Sequence, residues 1–296
     1  MIQLKVWFRI VRIRFLTASI LAVTAGLTIS YGRFGLMNPF LAALTYLGVI
    51  SLHVSVDLLN DYFDYRSGID LITTRTPFSG GTGVLPAGLL SPTSVYKAGI
   101  LFLINGIIIG LYLTLTQSFL ILPILVFAAI STYFYSTKLI GWGIGEILLV
   151  FKGAFIVLGT YLVQTIRIDF EPFYVGLVFG TLSASVLFIN EFPDYDADKA
   201  KGRINLIVRL GKQRAALIHK FFHIIAYSFI ILGVASTIIP NAALLSLLLL
   251  PLTFRVAKGL NENYNDHEKL IPYMATNSRI ARLVGIIVVA SYFLPI

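Results

Sequence analysis

The 296-residue sequence contains no cysteine, so disulfides, thiolate metal sites and thiol nucleophiles are all excluded, and composition gives no redox clue to compartment. It is also short of charge. Asp, Glu, Lys and Arg make up 12% of the residues, against the ~25% of an ordinary soluble chain. Hydrophobic side chains make up 57%, and several uninterrupted apolar runs reach the ~20 residues that an α-helix needs to cross a bilayer. A soluble enzyme, a disordered chain and a nucleic-acid module are thereby excluded. The formal net charge of +9 has a simpler origin than a nucleic-acid partner, namely orientation of the chain in a lipid bilayer. Lys5, Arg9, Arg12 and Arg14 precede a long apolar run with no small-residue cleavage site at the usual distance. The run is therefore read as a retained first helix rather than a signal peptide.

Apolar runs broken by charge or turn residues predict a single all-α membrane domain, 1–296, with nine transmembrane helices at 13–31, 40–64, 95–115, 119–137, 144–165, 172–192, 214–237, 241–258 and 278–295. The basic residues test this count, because one set of alternate loops should be enriched in Lys and Arg. Besides the N-terminal four, these are Arg66, Arg75 and Lys97, then Lys138, then seven between Lys199 and Lys220, then Arg255, Lys258, Lys269, Arg279 and Arg282. Twenty of the 23 basic residues thus fall on one side, Arg33 and Arg167 on the other, and Lys152 inside a helix. The expectation is a multi-pass cell-membrane protein with its N-terminus cytoplasmic and its C-terminus external. Three long polar stretches, 66–94, 193–213 and 259–277, then face the cytoplasm, and that face is expected to carry function.

Eight of the fourteen acidic residues lie in two clusters on that face: Asp57, Asp61, Asp64 and Asp70, and then Glu191, Asp194, Asp196 and Asp198. The clusters look alike, since Asn60-Asp61-Tyr62-Phe63-Asp64-Tyr65 reappears 130 residues later as Asn190-Glu191-Phe192-Pro193-Asp194-Tyr195. This is an internal repeat, carried at the ends of the helices around 40–64 and 172–192. Helical spacing points Asp57, Asn60, Asp61 and Asp64 one way, and Asn190, Asp194 and Asp198 likewise, with Pro193 kinking the second set. Like charges so placed repel by on the order of 1 to 3 kcal/mol per pair at ~6 Å and an effective dielectric near 20, which calls for a cation. Carboxylate and amide oxygens without His or Cys suit Mg²⁺, which keeps coordination positions for substrate phosphate. Two clusters imply two ions facing a shared diphosphate. Asp and Asn also serve as helix caps and solvated loop residues, but the duplication on one membrane face argues for metal binding. Arg66 beside the first cluster, and Lys199 and Arg203 beside the second, suit phosphate oxygens.

The segments Asn60-Asp-Tyr-Phe-Asp-Tyr-Arg-Ser-Gly-Ile-Asp70, Pro77-Phe-Ser-Gly-Gly-Thr-Gly83, Gly143-Ile-Gly-Glu146, Leu158-Gly-Thr-Tyr-Leu-Val-Gln-Thr165, Asp194-Tyr-Asp-Ala-Asp198 and Val208-Arg-Leu-Gly211 together resemble the UbiA family of membrane prenyltransferases over nearly the whole chain. They are most similar to its MenA branch, which prenylates 1,4-dihydroxy-2-naphthoate for menaquinone. The resemblance implies transfer of a polyprenyl group, for example from geranylgeranyl diphosphate, to an aromatic acceptor, whose carboxyl group is lost as its ring is attacked. Asn60, Asp61, Asp64, Asn190, Asp194 and Asp198 would hold the metal, Lys138 after Tyr135 would grip the diphosphate, and Asp57 or Asp61 would take the acceptor proton. Gly68 stands where many members carry a further Asp, for which Asp70 would substitute, and Phe192-Pro193 stands where MenA-like chains often have Leu-Arg. Alternatives are another acceptor, an ether-lipid glycerol phosphate or haem, or a cation-coupled transporter, whose acids would sit at the midplane of broken helices.

Lys152, an ionisable group inside a span, is a functional candidate by its cost alone. Glu146, near a helix start, suits the positive end of the helix dipole. His53, His219, His223 and His267 show no ligand spacing with the acids and read as structural. The Ser79-Gly-Gly-Thr-Gly83 run lacks the Gly-Lys-Ser/Thr ending of a P-loop and reads as a flexible lid. Some of the aromatic residues should line a pocket where an allylic cation needs ring faces.

Overall fold

The computed structural model describes residues 2–294, with side chains from Leu4 onward. Among the described residues every regular element is helical. A short helix, α1 (Ile2–Ile10), meets α2 (Ile13–Phe34) at Arg12, a non-glycine residue with φ of 50°. Then follow α3 (Pro39–Ser67), α4 (Pro92–Thr116), α5 (Ile121–Phe134), α6 (Gly145–Thr165) and α7 (Phe170–Asn190). Two short helices, α8 (Tyr195–Ala200) and α9 (Leu206–Leu210), lead into α10 (Lys212–Ala235), α11 (Leu250–Asn263) and α12 (His267–Ser291). A π-turn, Tyr135–Leu139, and a 3₁₀ turn, Ile140–Trp142, continue α5, and a 3₁₀ segment, Asn241–Leu249, precedes α11. Counting those extensions, nine helical segments among the described residues are long and apolar enough to cross a membrane.

Local chemistry sets the ends. Asn38 caps α3 by accepting from the backbone N–H groups of Phe40 and Leu41 at 3.0 and 3.2 Å, with Pro39 in the first helical position. Gly68 closes the same helix at φ +79°. Between helices, small residues permit close approach. A Cβ on Gly153 of α6 would stand 2.4 Å from the Cα of Gly180 on α7, and one on Gly180 would stand 2.2 Å from the carbonyl oxygen of Val150. The largest buried cluster joins α7, α10 and α12 through Phe188, Ile230 and Ile280 among others.

The structure corrects two sequence expectations. The polar stretch 259–277 is no loop, because α11 runs to Asn263 and α12 begins at His267. Asp266 caps α12 with Oδ1 accepting from Lys269 N at 3.1 Å, and Pro272 sits near the helix start without ending it. Arg279 and Arg282, assigned by sequence to a cytoplasmic loop, therefore lie within the last span. Nor do Asn190, Asp194 and Asp198 share one kinked helix: α7 stops at Asn190, and Asp194 begins α8 after a turn through Pro193, which has no N–H to continue the ladder.

Candidate functional site

The repeated motifs meet at one end of the bundle. A cavity of about 430 Å³ opens there, and Asp57, Asn60 and Asp64 of α3, Asp70, and Asn190, Glu191, Asp194 and Asp198 from the end of α7 onward all line it. Below this acidic rim the wall is mostly apolar, with Phe15, Phe127, Phe155 and Phe179 among its lining side chains. Rings are thus present where the sequence called for them.

The two acidic motifs are laced together by arginine and by the loop between α3 and α4. Arg203 donates to both oxygens of Asp64, with Nη1 at 3.1 Å from Oδ2, and the same nitrogen lies 3.6 Å from Asp198 Oδ1, an ion pair too long to be a hydrogen bond. Arg12 is ion-paired with Asp61 and reaches Asn60 Oδ1 at 3.4 Å. Asn60 donates to Asp64 at 3.0 Å and to Ser136, in the π-turn that ends α5, at 3.1 Å. The loop supplies Thr82, which donates to Asp61, and Thr73 and the Gly80 N–H, which both donate to Asp194, the latter at 3.1 Å. Asn205 donates to Asp198 at 2.8 Å. The Ser79–Gly83 run is therefore docked on both acidic motifs rather than standing free as a lid.

Charge remains in excess. Burial pushes Asp70 up to about 8, with Asp64 and Asp61 adding to the shift. Burial likewise pushes Asp198 up to about 7 and Asp194 to about 6, the latter restrained by the hydrogen bonds from Thr73 and Gly80. Glu191 lies well above the usual carboxylate range through burial and the charges of Glu146 and Asp198. Burial works against the charge on Arg12 and Arg203, but Asp61 beside the first and Asp64 beside the second hold both above the ordinary arginine value. Asp70 Oδ2, Asn190 Oδ1, Asp198 Oδ1 and both oxygens of Glu191 are buried without a hydrogen-bond partner. Unpartnered buried oxygens with raised carboxyl pKa values are what a hard cation would satisfy. Among the described residues no three acidic or histidine side chains already converge on one point as a ligand set. The arginines instead hold Asp61 and Asp64.

Of the other residues singled out from sequence, Tyr135 and Lys152 line the cavity, whereas Arg66, Lys138 and Lys199 are exposed and do not. Lys138 lies 5.3 Å from the Phe134 ring centroid and Lys199 5.8 Å from that of Tyr195. Asp196 points outward and pairs with Lys212 at 2.9 Å. Sequence reasoning missed Arg12, Thr73, Thr82 and Asn205. Arg12 looked like any cation of the basic N-terminal segment, and the others carry no spacing signal. Of the histidines read as structural, His219 and His223 are buried on Ser185 and Asn277, but His53 lines the cavity.

A model of the UbiA prenyltransferase family matches residues 19–278. The chain is 29% identical over 292 residues to a protein of Haemophilus influenzae named 1,4-dihydroxy-2-naphthoate octaprenyltransferase, covering 96% of this chain and 94% of that one. Among solved structures it resembles a UbiA homologue from Archaeoglobus fulgidus bound to DMAPP and Mg²⁺, with TM-score 0.60, 14% identity and coverage of 96% and 99%. It also resembles a digeranylgeranylglyceryl phosphate synthase, with TM-score 0.59, 18% identity and coverage of 99% and 98%. At those identities the structural likeness speaks to fold alone.

Proposed function

Because the chain belongs to the UbiA prenyltransferase family and is a membrane-embedded transferase, we propose that it moves a polyprenyl group from a polyprenyl diphosphate to an aromatic quinone precursor, 1,4-dihydroxy-2-naphthoate or a close analogue. The observation that carries this reading is the cavity itself, where the oxygen donors of both acidic motifs and the guanidinium groups of Arg12 and Arg203 adjoin a mostly apolar, ring-bearing wall. That division matches a substrate with an anionic head and a hydrocarbon tail. A cation-coupled transporter would place its acids deep in broken helices, whereas these acids cluster at helix ends.

Asn60, Asp61 and Asp64, with Asn190, Asp194 and Asp198, would hold two Mg²⁺ ions, for which the unpartnered oxygens and the all-oxygen donor set are suited. Bound Mg²⁺ would neutralise charge developing on the departing diphosphate. Asp70, with an unpartnered oxygen at the same rim, stands in for the family's further Asp. Arg203 holds the diphosphate from within the cavity, while Arg66, Lys138 and Lys199 draw it in from the rim. Tyr135 closes the wall beside them. The docked loop excludes water from the bond that breaks, and Phe127, Phe155 and Phe179 offer ring faces to the allylic cation. Asp57 or Asp61 accepts a hydroxyl proton of the acceptor as its ring is attacked, the ring carboxylate leaves as CO2, and the proton returns to the oxygen once the ring is aromatic again.

Two features support the internal-repeat reading of α3 and α7: the sequence match and the meeting of both motifs in one cavity. The basic residues support a cytoplasmic mouth in the cell membrane, with the N-terminus on the same side. A second reading keeps the chemistry and changes the acceptor to an ether-lipid glycerol phosphate, whose anionic head suits the arginines that line the cavity. The test is purified protein with Mg²⁺, labelled geranylgeranyl diphosphate and a panel of acceptors. Prenylated naphthoate supports the first reading, label on the glycerol phosphate supports the second, and no prenylated product from any acceptor contradicts both.

A further inference from the structure

Among the polar side chains that interrupt the apolar wall is a group drawn from three helices, which reaches up to Asp57 of the rim. Lys152, beyond the first turn of α6, lines the cavity and is, among the described residues, part of no ion pair or hydrogen bond. Asp57 lines the same cavity one turn deeper than Asp61, is only 9% exposed, and leaves Oδ2 without a hydrogen-bond partner. One further turn down α3, His53 places Nε2 3.8 Å from that oxygen, and its Nδ1 is held at 2.7 Å by Ser19 Oγ of α2.

Among the described residues no hydrogen bond or ion pair joins Lys152, Asp57 or His53 to the rim arginines. Arg12 and Arg203 are paired with Asp61 and with Asp64 and Asp198, whereas Lys152, like Arg14 and Arg282 on the same cavity wall, takes part in no ion pair among the described residues, and Lys152 lies within the span α6. An ammonium there is costly unless it has a use. It offers three donors and no acceptor, so its complement is an anion. Asp57 and His53, with their unused acceptor and ring nitrogen, complement a hydroxyl. Lys152 on α6 and Asp57 and His53 on α3 line one cavity of about 430 Å³.

We propose that Lys152, Asp57 and His53 form the acceptor subsite and select a hydroxylated aromatic acid, the ammonium taking the ring carboxylate while Asp57 and His53 engage a ring hydroxyl. This rests on the prenyl-transfer reading above and adds to it the residue that sets acceptor choice. In a low-dielectric wall a carboxylate without a counter-charge is strongly disfavoured, and a site built around one hydrogen-bonded group rejects analogues that lack it. Lys152 is thus a specificity residue, with His53 positioned by Ser19.

The experiment compares full-length wild type with Lys152→Met, Lys152→Gln and Lys152→Arg, using Mg²⁺, geranylgeranyl diphosphate and two acceptors. These are 1,4-dihydroxy-2-naphthoate and 1,4-dihydroxynaphthalene, the same ring without the carboxylate. Wild type should prefer the acid. Lys152→Met and Lys152→Gln should lower that preference about 10- to 100-fold, through KM for the acid, while Lys152→Arg retains most of it. KM for the prenyl diphosphate should move by less than about threefold, and calorimetric binding of the acid should weaken in parallel. Equal loss with both acceptors, or a fall in Tm of the neutral variants with no change in preference, would make Lys152 a structural counter-charge for Asp57 and overturn the proposal. Transfer by wild type with no preference for the acid also overturns it while leaving prenyl transfer intact. Transfer to neither acceptor by wild type defeats the parent reading as well.

Discussion

Arg203 donates both arms of its guanidinium to Asp64, 139 residues earlier in the chain, so a cation from the second acidic motif is seated in the first. This ion pair is the most direct link between the two motifs, and it fixes a ranking among the cations. Arg203 lines the cavity, whereas Lys138 stands outside it on the π-turn. A charge-assisted hydrogen bond contributes roughly 1.5 to 3 kcal/mol and an exposed pair roughly 0.2 to 1. Arg203→Lys should therefore lower kcat/KM for the prenyl diphosphate by about 10-fold or more, and Lys138→Ala by only about two- to fivefold. Equal effects, measured per folded enzyme, would remove Arg203 from the cavity contact.

The loop from Gly68 to Ser91 is held against the acids at a position where only glycine fits. A Cβ on Gly81, at φ +67°, would lie 2.4 Å from Asp70 Oδ2, whereas one on Gly88, at φ +65°, would meet nothing within 4 Å. Both substitutions carry the left-handed strain of about 1 kcal/mol, but only the first must push the loop off the site. Gly81→Ala should thus lower turnover and speed proteolytic cutting within 70–83, and Gly88→Ala should do neither. Matching behaviour of the two variants would show that the loop is not seated as described.

The close approach of α6 and α7 sets a stability prediction. Alanine gains about 0.5–1 kcal/mol over glycine inside a helix, yet a methyl group on Gly180 would enter the backbone at Val150, with contacts of 2.2 to 2.7 Å. Backbone cannot yield as a flexible side chain does, so overpacking of about 1–3 kcal/mol or more prevails. Gly180→Ala should lower Tm in detergent, with loss of α6–α7 packing. An unchanged or higher Tm would contradict this packing.

Orientation can be read directly, because the chain has no cysteine and single cysteines introduce unique labels. Cysteines at Ser67, Lys201 and Asp266 should react with an impermeant maleimide from the cytoplasmic side only, and cysteines at Gln117 and Asn241 from the outside only. Ser67 and Lys201 reacting on opposite faces would break the shared cavity.

The helical class, all nine spans and the convergence of the two acidic motifs were legible in the sequence, because hydropathy and charge asymmetry report burial in lipid and because the motif repeats. The start of α12 was not, since His267 to Asn277 is polar enough to read as loop; its cap at Asp266 becomes decisive only once the helix packs through Leu270 and Met274. The break after Asn190 was half legible, because Pro193 signalled a disturbance but not that α8 would restart at Tyr195. Arg12 was invisible as a site residue. A left-handed residue between two helices turns it toward Asp61, and no composition rule separates it from Lys5, Arg9 or Arg14. The rim positions of Lys138, Arg66 and Lys199 could not be foreseen either, because proximity along the chain to an acidic motif does not specify which way a long side chain points.

The central claim is that oxygen ligands from both motifs hold Mg²⁺ for the departure of diphosphate, and it is tested most directly by single-turnover transfer of labelled geranylgeranyl to 1,4-dihydroxy-2-naphthoate. Wild type, Asp64→Asn and Asp194→Asn are compared with Mg²⁺, with EDTA, and with Mg²⁺ restored. The account predicts transfer by wild type that disappears in EDTA and returns with Mg²⁺. Each variant should be slowed by at least about 100-fold while its Tm shows a folded protein. Undiminished transfer in EDTA, or by either folded variant, would contradict it.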